Sequence, residues 1–290
     1  MDDFFGQPQG AAVLKHEVLR KYVPVYARKT GSKTSVVLLD GYAGPGRYDD
    51  GSSGSPELMV GTAQALRGSR VHCAFVEENP RHCERLQTLL ADLGDHDSEV
   101  FAGDIEQHLG AIVRNSRGKA LLVLLDPFGL SIPFNLLSET ILHRRRFGQE
   151  WQPTEVLLNF SINGINRSAG RLDSSPESPS AAKANETRLR ELEDFLGGGW
   201  WKPIWRSGAA NRVEQIFERY LQQIRTYRVW VEDLGRPSCG SVGWTSSILP
   251  CVVHAEQARA LVLRQRRFLW GRRVTRLYLP KRPTAQASHA

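Results

Sequence analysis

Five short apolar runs recur along the first 160 residues, each ending in polar residues, with helix-like spacing between them. They are VVLL (36–39), VHCAFV (71–76), EVFA (99–102), KALLVLL (119–125) and TEVLLNF (154–160). Runs of four to eight β-branched and leucine residues suit buried strands and are too short for core helices. Segment 119–129 is the most strongly apolar and reads as the central strand, covered on both faces. The intervening stretches carry apolar residues at helical spacing, for instance PRHCERLQTLLADLG from Pro80 to Gly94. Five alternations of strand and helix suit right-handed crossovers and predict a doubly wound, mostly parallel α/β sheet.

Flanking segments complete the expected plan. Residues 1–34 read as an N-terminal helical segment, with Val13, Leu14, Val18, Leu19, Tyr22 and Val23 at helical spacing and Pro24 expected to kink or end the helix. Residues 163–210 read as an inserted arm, partly mobile because 168–186 is rich in Ser, Pro and Ala. A helix from Asn211 and two strands, 228–234 and 246–254, are expected to follow, the strands forming a hairpin. The sheet then has seven strands, one of them antiparallel, in a single domain spanning 1–290. Residues 255–290 are expected to form a basic helix and tail: this segment holds nine Lys/Arg against one acid, Glu256, while the whole chain carries a net charge of +7. Such a patch suits either a phosphate grip on nucleic acid or a solvated helix face.

Composition excludes little else. The chain is 41% hydrophobic and 24% charged, with no apolar run near membrane-spanning length and an N-terminus unlike a signal peptide, so a cytoplasmic protein is expected. None of the four cysteines forms a CxxC pair, and no metal site is expected.

Chemistry concentrates where the strands end. Asp40 and Gly41 close the first run and lead into Gly44-Pro45-Gly46; Glu77 ends the second, Asp104 follows the third, and Asp126-Pro127-Phe128-Gly129 ends the fourth. Carboxyl ends of parallel strands face one side of a sheet, where ligands of open α/β folds bind. Glycines let a ligand approach the backbone closely. An acid ending the second strand suits two ribose hydroxyls, with Glu78 and Asn79 as alternates, and an acid after the third suits an adenine amino group. Glu77 lies about thirty residues beyond the glycines, further than a dinucleotide fingerprint places its acid. Lys15 and His16 are a separate pair that would touch a cofactor carboxylate or the substrate if the first helix covers the cleft. Asn159, ending the fifth run, is a substrate-side candidate.

The series DGYAGPG, FVEENP, AGD and LLDPFG resembles the class I S-adenosylmethionine-dependent methyltransferases. More closely, K-H followed by DGYAGPGRY, GSP, FVE, GD, DPFG and EVLLNF resembles the three-Cys-motif partner proteins, from about Lys15 to Phe160. The resemblance implies a Rossmann-like methyltransferase fold, S-adenosylmethionine as cofactor and a radical-SAM-like partner protein. It places Asp40, Gly44 and Gly46, with Gly41 in the same turn, along the methionine part of the cofactor, Glu77 on the ribose and Asp104 on the adenine. Asp126-Pro127-Phe128 is similar to the D-P-P-Y type motif of nucleobase amino-methyltransferases, in which the acid accepts from the target amine and the aromatic stacks on the base. Here the second proline is missing, and the motif also reads as a cofactor-side loop. The expected activity is methyl transfer to a nucleobase amine or to a small-metabolite oxygen or nitrogen. The alternative is a catalytically silent partner of the same fold that binds a radical-SAM-like protein or nucleic acid.

Overall fold

A computed structural model describes residues 10–66, 70–127, 129–142 and 154–227, with the short segments 230–233, 248–251 and 275–278. In chain order the elements are α1 (Gly10–Gly31), β1 (Val36–Asp40), α2 (Ser55–Ala65), β2 (Val71–Glu77), α3 (Pro80–Asp92), β3 (Glu99–Ala102), α4 (Ile105–Asn115), β4 (Ala120–Leu125) and α5 (Phe134–Leu137). After α5 a wide helical turn runs over Ser138–Leu142. Then come β5 (Thr154–Ser161), α6 (Ile162–Ala169), α7 (Pro179–Leu196), α8 (Trp201–Arg206), α9 (Arg212–Arg225), β6 (Trp230–Asp233), β7 (Ile248–Cys251) and β8 (Thr275–Tyr278).

The five expected parallel strands pair in the order β3-β2-β1-β4-β5. The connections run outward from β1 in one direction and from β4 in the other, so the order reverses between these two central strands. Beyond β5 the sheet has eight described strands rather than seven, and two of them are reversed. β7 pairs antiparallel with Leu158–Ser161 and β8 antiparallel with Glu155 and Val156, while β6 pairs with β8. The expected hairpin is therefore replaced by two separate pairings. β5 is eight residues long and its outer partners only four each, so two short strands are needed to cover an edge that would otherwise be open. The expected basic helix near 255–269 lies outside the described residues.

Side-chain alternation divides the core into two faces. One face carries Val36 and Leu38 of β1, Cys73 and Phe75 of β2, Leu122 and Leu124 of β4 and Leu157 of β5, covered by Tyr22, Val23 and Tyr26 of α1, Met59 and Val60 of α2, and Leu86 and Leu90 of α3. The other carries Val37 and Leu39, Val76, Val123 and Leu125, and Leu158 and Phe160, covered by residues of α4 to α9.

Two local expectations change. α1 runs through Pro24 without ending, because Val23, Tyr26 and Ala27 on both sides of it are buried against the sheet. Residues 163–210 do not stand off as an arm. Ile165, Phe195, Trp201 and Trp205 are buried in the same cluster as α9, so the segment is part of one helical layer. Within the Ser/Pro/Ala-rich stretch, α7 starts at Pro179, where Ser178 caps the Ala181 N–H at 3.2 Å. Its first turns are exposed, which explains why no apolar stripe marks them in the sequence.

No helix among the described residues is long and apolar enough to cross a membrane.

Candidate functional site

The register fixes where each strand-end residue stands. Asp40 pairs with Phe75 and with Leu124, so Glu77 and Asp126 each lie two residues further toward the carboxyl edge. Leu125 pairs with Leu158, which puts Asp126 beside Asn159. Alternation continues the first face's rows of β2, β1, β4 and β5 into Glu77, Asp40, Asp126 and Asn159. One face of the sheet thus ends in a line of polar side chains.

The glycine turn is held to this line by Glu77. Its Oε2 accepts from the Gly44 N–H at 2.8 Å, and its Oε1 accepts from the Asn79 N–H at 2.8 Å with His82 Nδ1 at 3.3 Å. One carboxylate therefore ties the turn after β1 to the start of α3. Asn79 in turn caps α3, its Oδ1 accepting from the Arg81 N–H at 3.0 Å. Gly44 and Gly46 have φ of +64° and +80°. A Cβ on Gly46 would lie 2.5 Å from Leu89 Cδ2 and 2.9 Å from Leu86 Cδ1, so the turn packs on α3 only as glycine.

Residues 47–53 then form a small hairpin. Arg47 bridges Ser53, the Tyr48 N–H donates to Ser52 O at 2.9 Å, and the Gly54 N–H donates to Gly46 O at 2.9 Å. Arg47 grips Glu57 of α2 through two guanidinium nitrogens, Nε and Nη2, and Arg85 of α3 meets Asp49 at 2.8 Å. His16 of α1 is 4% exposed and lies edge-on to Tyr48, ring centroids 5.6 Å apart. It joins α1 to this hairpin. Lys15 lies on α1, and its side chain is outside the described residues, as is Phe128.

Asp40 is fully buried, and its Oδ1 accepts from the Tyr42 N–H at 3.1 Å. Its carboxylate thus holds the backbone of the turn that the resemblance sets along the methionine part of a cofactor. Gly41 likewise continues the sheet, donating to Leu124 O at 2.9 Å, and a Cβ there would face Leu125 and Ile105 on the opposite face.

Asp104 caps α4, its Oδ1 accepting from the Glu106 N–H at 2.7 Å, and Gly103 N donates to Glu77 O at 2.9 Å. Tyr42 stands among these acids: burial holds its phenol well above the ordinary value, and the charges of Asp104, Glu106 and Glu78 push the same way. Glu106 is raised by burial and by the like charges of Asp104 and Asp194. On the β4–β5 side, Asn159 Nδ2 donates to Asp126 Oδ1 at 2.7 Å. The structure brings Gly44, Glu77, Asp104 and Asp126 to one edge. Sequence reading missed Tyr42 and the hairpin; the acids nearest Tyr42 were visible, but its place among them depends on the turn.

No protein-family model matches the chain, and no curated protein sequence matches it. Among solved structures, it is similar to an RNA methyltransferase from Salinibacter ruber in complex with S-adenosyl-L-homocysteine, at 13% identity and a TM-score of 0.31, covering 52% of this chain and 77% of that one. It is also similar to an rRNA methylase from Streptococcus thermophilus at 14% identity and a TM-score of 0.32, covering 51% and 72%. A protein-L-isoaspartate O-methyltransferase is matched at 13% identity and a TM-score of 0.31, over 47% of this chain but only 35% of that one. At such values the likeness adds nothing to the sheet order and strand-end geometry.

Proposed function

We propose that the chain binds S-adenosylmethionine at the carboxyl edge of β1, β2 and β4 and transfers its methyl group to an acceptor beside Asp126. One observation carries this reading: the Gly44 N–H that opens the glycine turn is already taken by the Glu77 carboxylate at 2.8 Å. A dinucleotide needs the donors of such a turn for its pyrophosphate. Here a carboxylate occupies the donor, Gly46 O holds the Gly54 N–H, and Pro56 removes a donor from the first turn of α2. The crevice is rimmed by Glu77, Asp104 and Asp126, a charge that repels a pyrophosphate and suits a cationic sulfonium.

The donor set fits the group. A carboxylate has about four acceptor sites; Glu77 spends one on each oxygen at the backbone and keeps others for two ribose hydroxyls. Asp104 uses Oδ1 on its helix and has Oδ2 for an adenine amino group. Bound there, S-adenosylmethionine supplies a methyl carbon made electrophilic by its sulfonium. The chain's part is to hold an acceptor in line with that methyl.

Calorimetry with S-adenosylhomocysteine tests this. Binding is expected, with NAD failing to compete. Glu77→Gln, which keeps one acceptor oxygen in place of two, is expected to weaken it about tenfold or more, or about 1.4 kcal/mol. Absence of heat with a folded wild-type protein sinks the proposal.

A further inference from the structure

We propose that the amino edge of the sheet, opposite the crevice, docks the sugar-phosphate backbone of a nucleic-acid duplex. Three stretches of chain meet there: 28–35, the end of α1 and its link to β1; 114–119, the end of α4 and its link to β4; and Arg70, just ahead of β2. They are tied together. The Thr34 hydroxyl donates to Gly118 O, the Ala120 N–H to Ser35 O and the Val36 N–H to Arg70 O, each at 2.8 Å. Segments 28–35 and 114–119 contain Arg28, Lys29, Lys33, Arg114, Arg117 and Lys119 and no Asp or Glu. Arg28, Lys29, Lys33, Arg70 and Arg114 are exposed and Lys119 is half-buried. None of these latter six forms an ion pair with another described residue.

Register sets them in a line. Val36 pairs with Val71 and with Ala120, so Arg70, Ser35 and Lys119 make the next row out, and two strand spacings put Arg70 and Lys119 about 10 Å apart. α1 covers one face of the sheet and α4 the other, so cations flank this row from both sides. Helix ends explain only part of the cluster. Arg28, Lys29 and Arg114 stand in last helical turns, where a cation complements the dipole. Lys33, Arg70 and Lys119 stand at strand entries, which have no comparable dipole. The carboxyl edge has the opposite sign, with Glu77, Glu78, Asp104, Glu106 and Asp126, so a polyanion is drawn to the amino edge and turned away from the crevice.

The absence of apolar side chains selects the polyanion. Segments 28–35 and 114–119 contain no aromatic or large aliphatic residue. A protein partner takes buried aromatic or aliphatic anchors, a lipid surface an inserted apolar face, and a single strand an aromatic platform for its bases. A duplex backbone takes none of these. Its phosphates accept from Lys, Arg and small polar side chains, and Asn115 is exposed among the cations. Strand rise places Lys119 more than about 20 Å from Asp126, so the contact holds a polymer away from the crevice and does not depend on what the crevice binds.

Fluorescence anisotropy of a short labelled DNA duplex, titrated with the full chain, tests this. Binding is expected at about 50 mM salt and should weaken at least about thirtyfold by about 200 mM, as for about three or more neutralised phosphates. A duplex of scrambled sequence should bind equally, and a single strand of the same length more weakly. Lys33→Gln, Arg70→Gln and Lys119→Gln combined should weaken binding about tenfold or more and flatten the salt dependence, whereas Lys33→Arg with Lys119→Arg stays within about twofold of wild type. Arg28→Gln with Lys29→Gln, on the exposed last turn of α1, should act in the same direction and serves if the triple variant does not fold. No duplex binding at low salt, tighter binding of the single strand, or equally effective competition by polyglutamate or by vesicles of equimolar phosphatidylserine and phosphatidylcholine overturns the inference. So does an unchanged salt dependence in the folded Gln variants. Failure to bind S-adenosylhomocysteine leaves it standing, because the two edges share no residue.

Discussion

Asn159 and Phe160 are consecutive residues of one strand, yet they belong to different chemistries. Phe160 faces the helical layer of α4 to α9 and is fully buried, its ring 4.8 Å from that of Phe217, 5.2 Å from Tyr220 and 5.6 Å from Phe195. Asn159 faces the opposite side, where it holds Asp126. The same division runs across the sheet. On one face the rows of β1, β4 and β5 end in Gly41, Pro127 and Phe160 and that of β2 in Glu78; on the other they end in Glu77, Asp126 and Asn159, with Asp40 two residues below. A sheet covered on both sides can devote one face mainly to stability and let the other carry most of its strand-end polar groups. Alternation makes the two separable by mutation.

The largest expected effect lies on the apolar face. Phe160→Ala should cost about 3–5 kcal/mol of stability, because the ring's neighbours cannot close the space it leaves. In urea unfolding it should lower the midpoint, while the fraction that stays folded binds S-adenosylhomocysteine as tightly as wild type. Weakened binding by that folded fraction would break the separation between faces. Next comes Gly46→Ala on the polar face. Left-handed φ and the collision with Leu89 should together cost about 2–3 kcal/mol, and here cofactor affinity should fall as well. Gly41→Ala sharpens the contrast. Its new Cβ meets only the flexible end of Leu125 at 2.9 Å and Ile105 at 3.2 Å on the apolar face, so a smaller loss, about 1–2 kcal/mol, with affinity unchanged, is expected.

The five parallel strands and the acids that end them were legible because each apolar run is bounded by polar residues within one or two positions. What the runs do not reveal is how far each strand extends relative to its neighbours. β1 stops two residues short of β2 and one short of β4, so Asp40 is buried while Glu77 and Asp126 lie further toward the carboxyl edge. Glu77 was read as a ligand's partner; its first partners are the N–H groups of Gly44 and Asn79, a contact between residues 33 positions apart that no local pattern encodes. The first turns of α7 and the passage of α1 through Pro24 escaped for the opposite reason. One is a helix start held by capping whose buried residues, Leu192, Phe195 and Leu196, come only in its last turns; the other is a helix kept intact by burial despite its proline. The tiling of β5 by β7 and β8 depends on edge length, which appears only once the sheet is assembled.

The hairpin over residues 47–53 offers the gentlest test of the polar face, through pH. Arg47 binds Glu57 through two nitrogens and holds its carboxyl below the ordinary value, with burial opposing that shift. A carboxyl whose folded value is depressed contributes stability that is present above its unfolded value, about 4.3, and is lost as pH falls through the folded value. Arg47→Gln removes that contribution. At pH 7 it should lower Tm by no more than about 2 °C, because Arg47 is half exposed and its charge is screened. The gap between wild type and variant should shrink as pH falls from about 4.3 through Glu57's depressed folded value and close once Glu57 is protonated in both states, and added salt should narrow the gap at pH 7. A gap that persists at low pH would mean that Arg47 holds the hairpin by packing rather than by charge, and the polar face would then owe its order to the same forces as the apolar one.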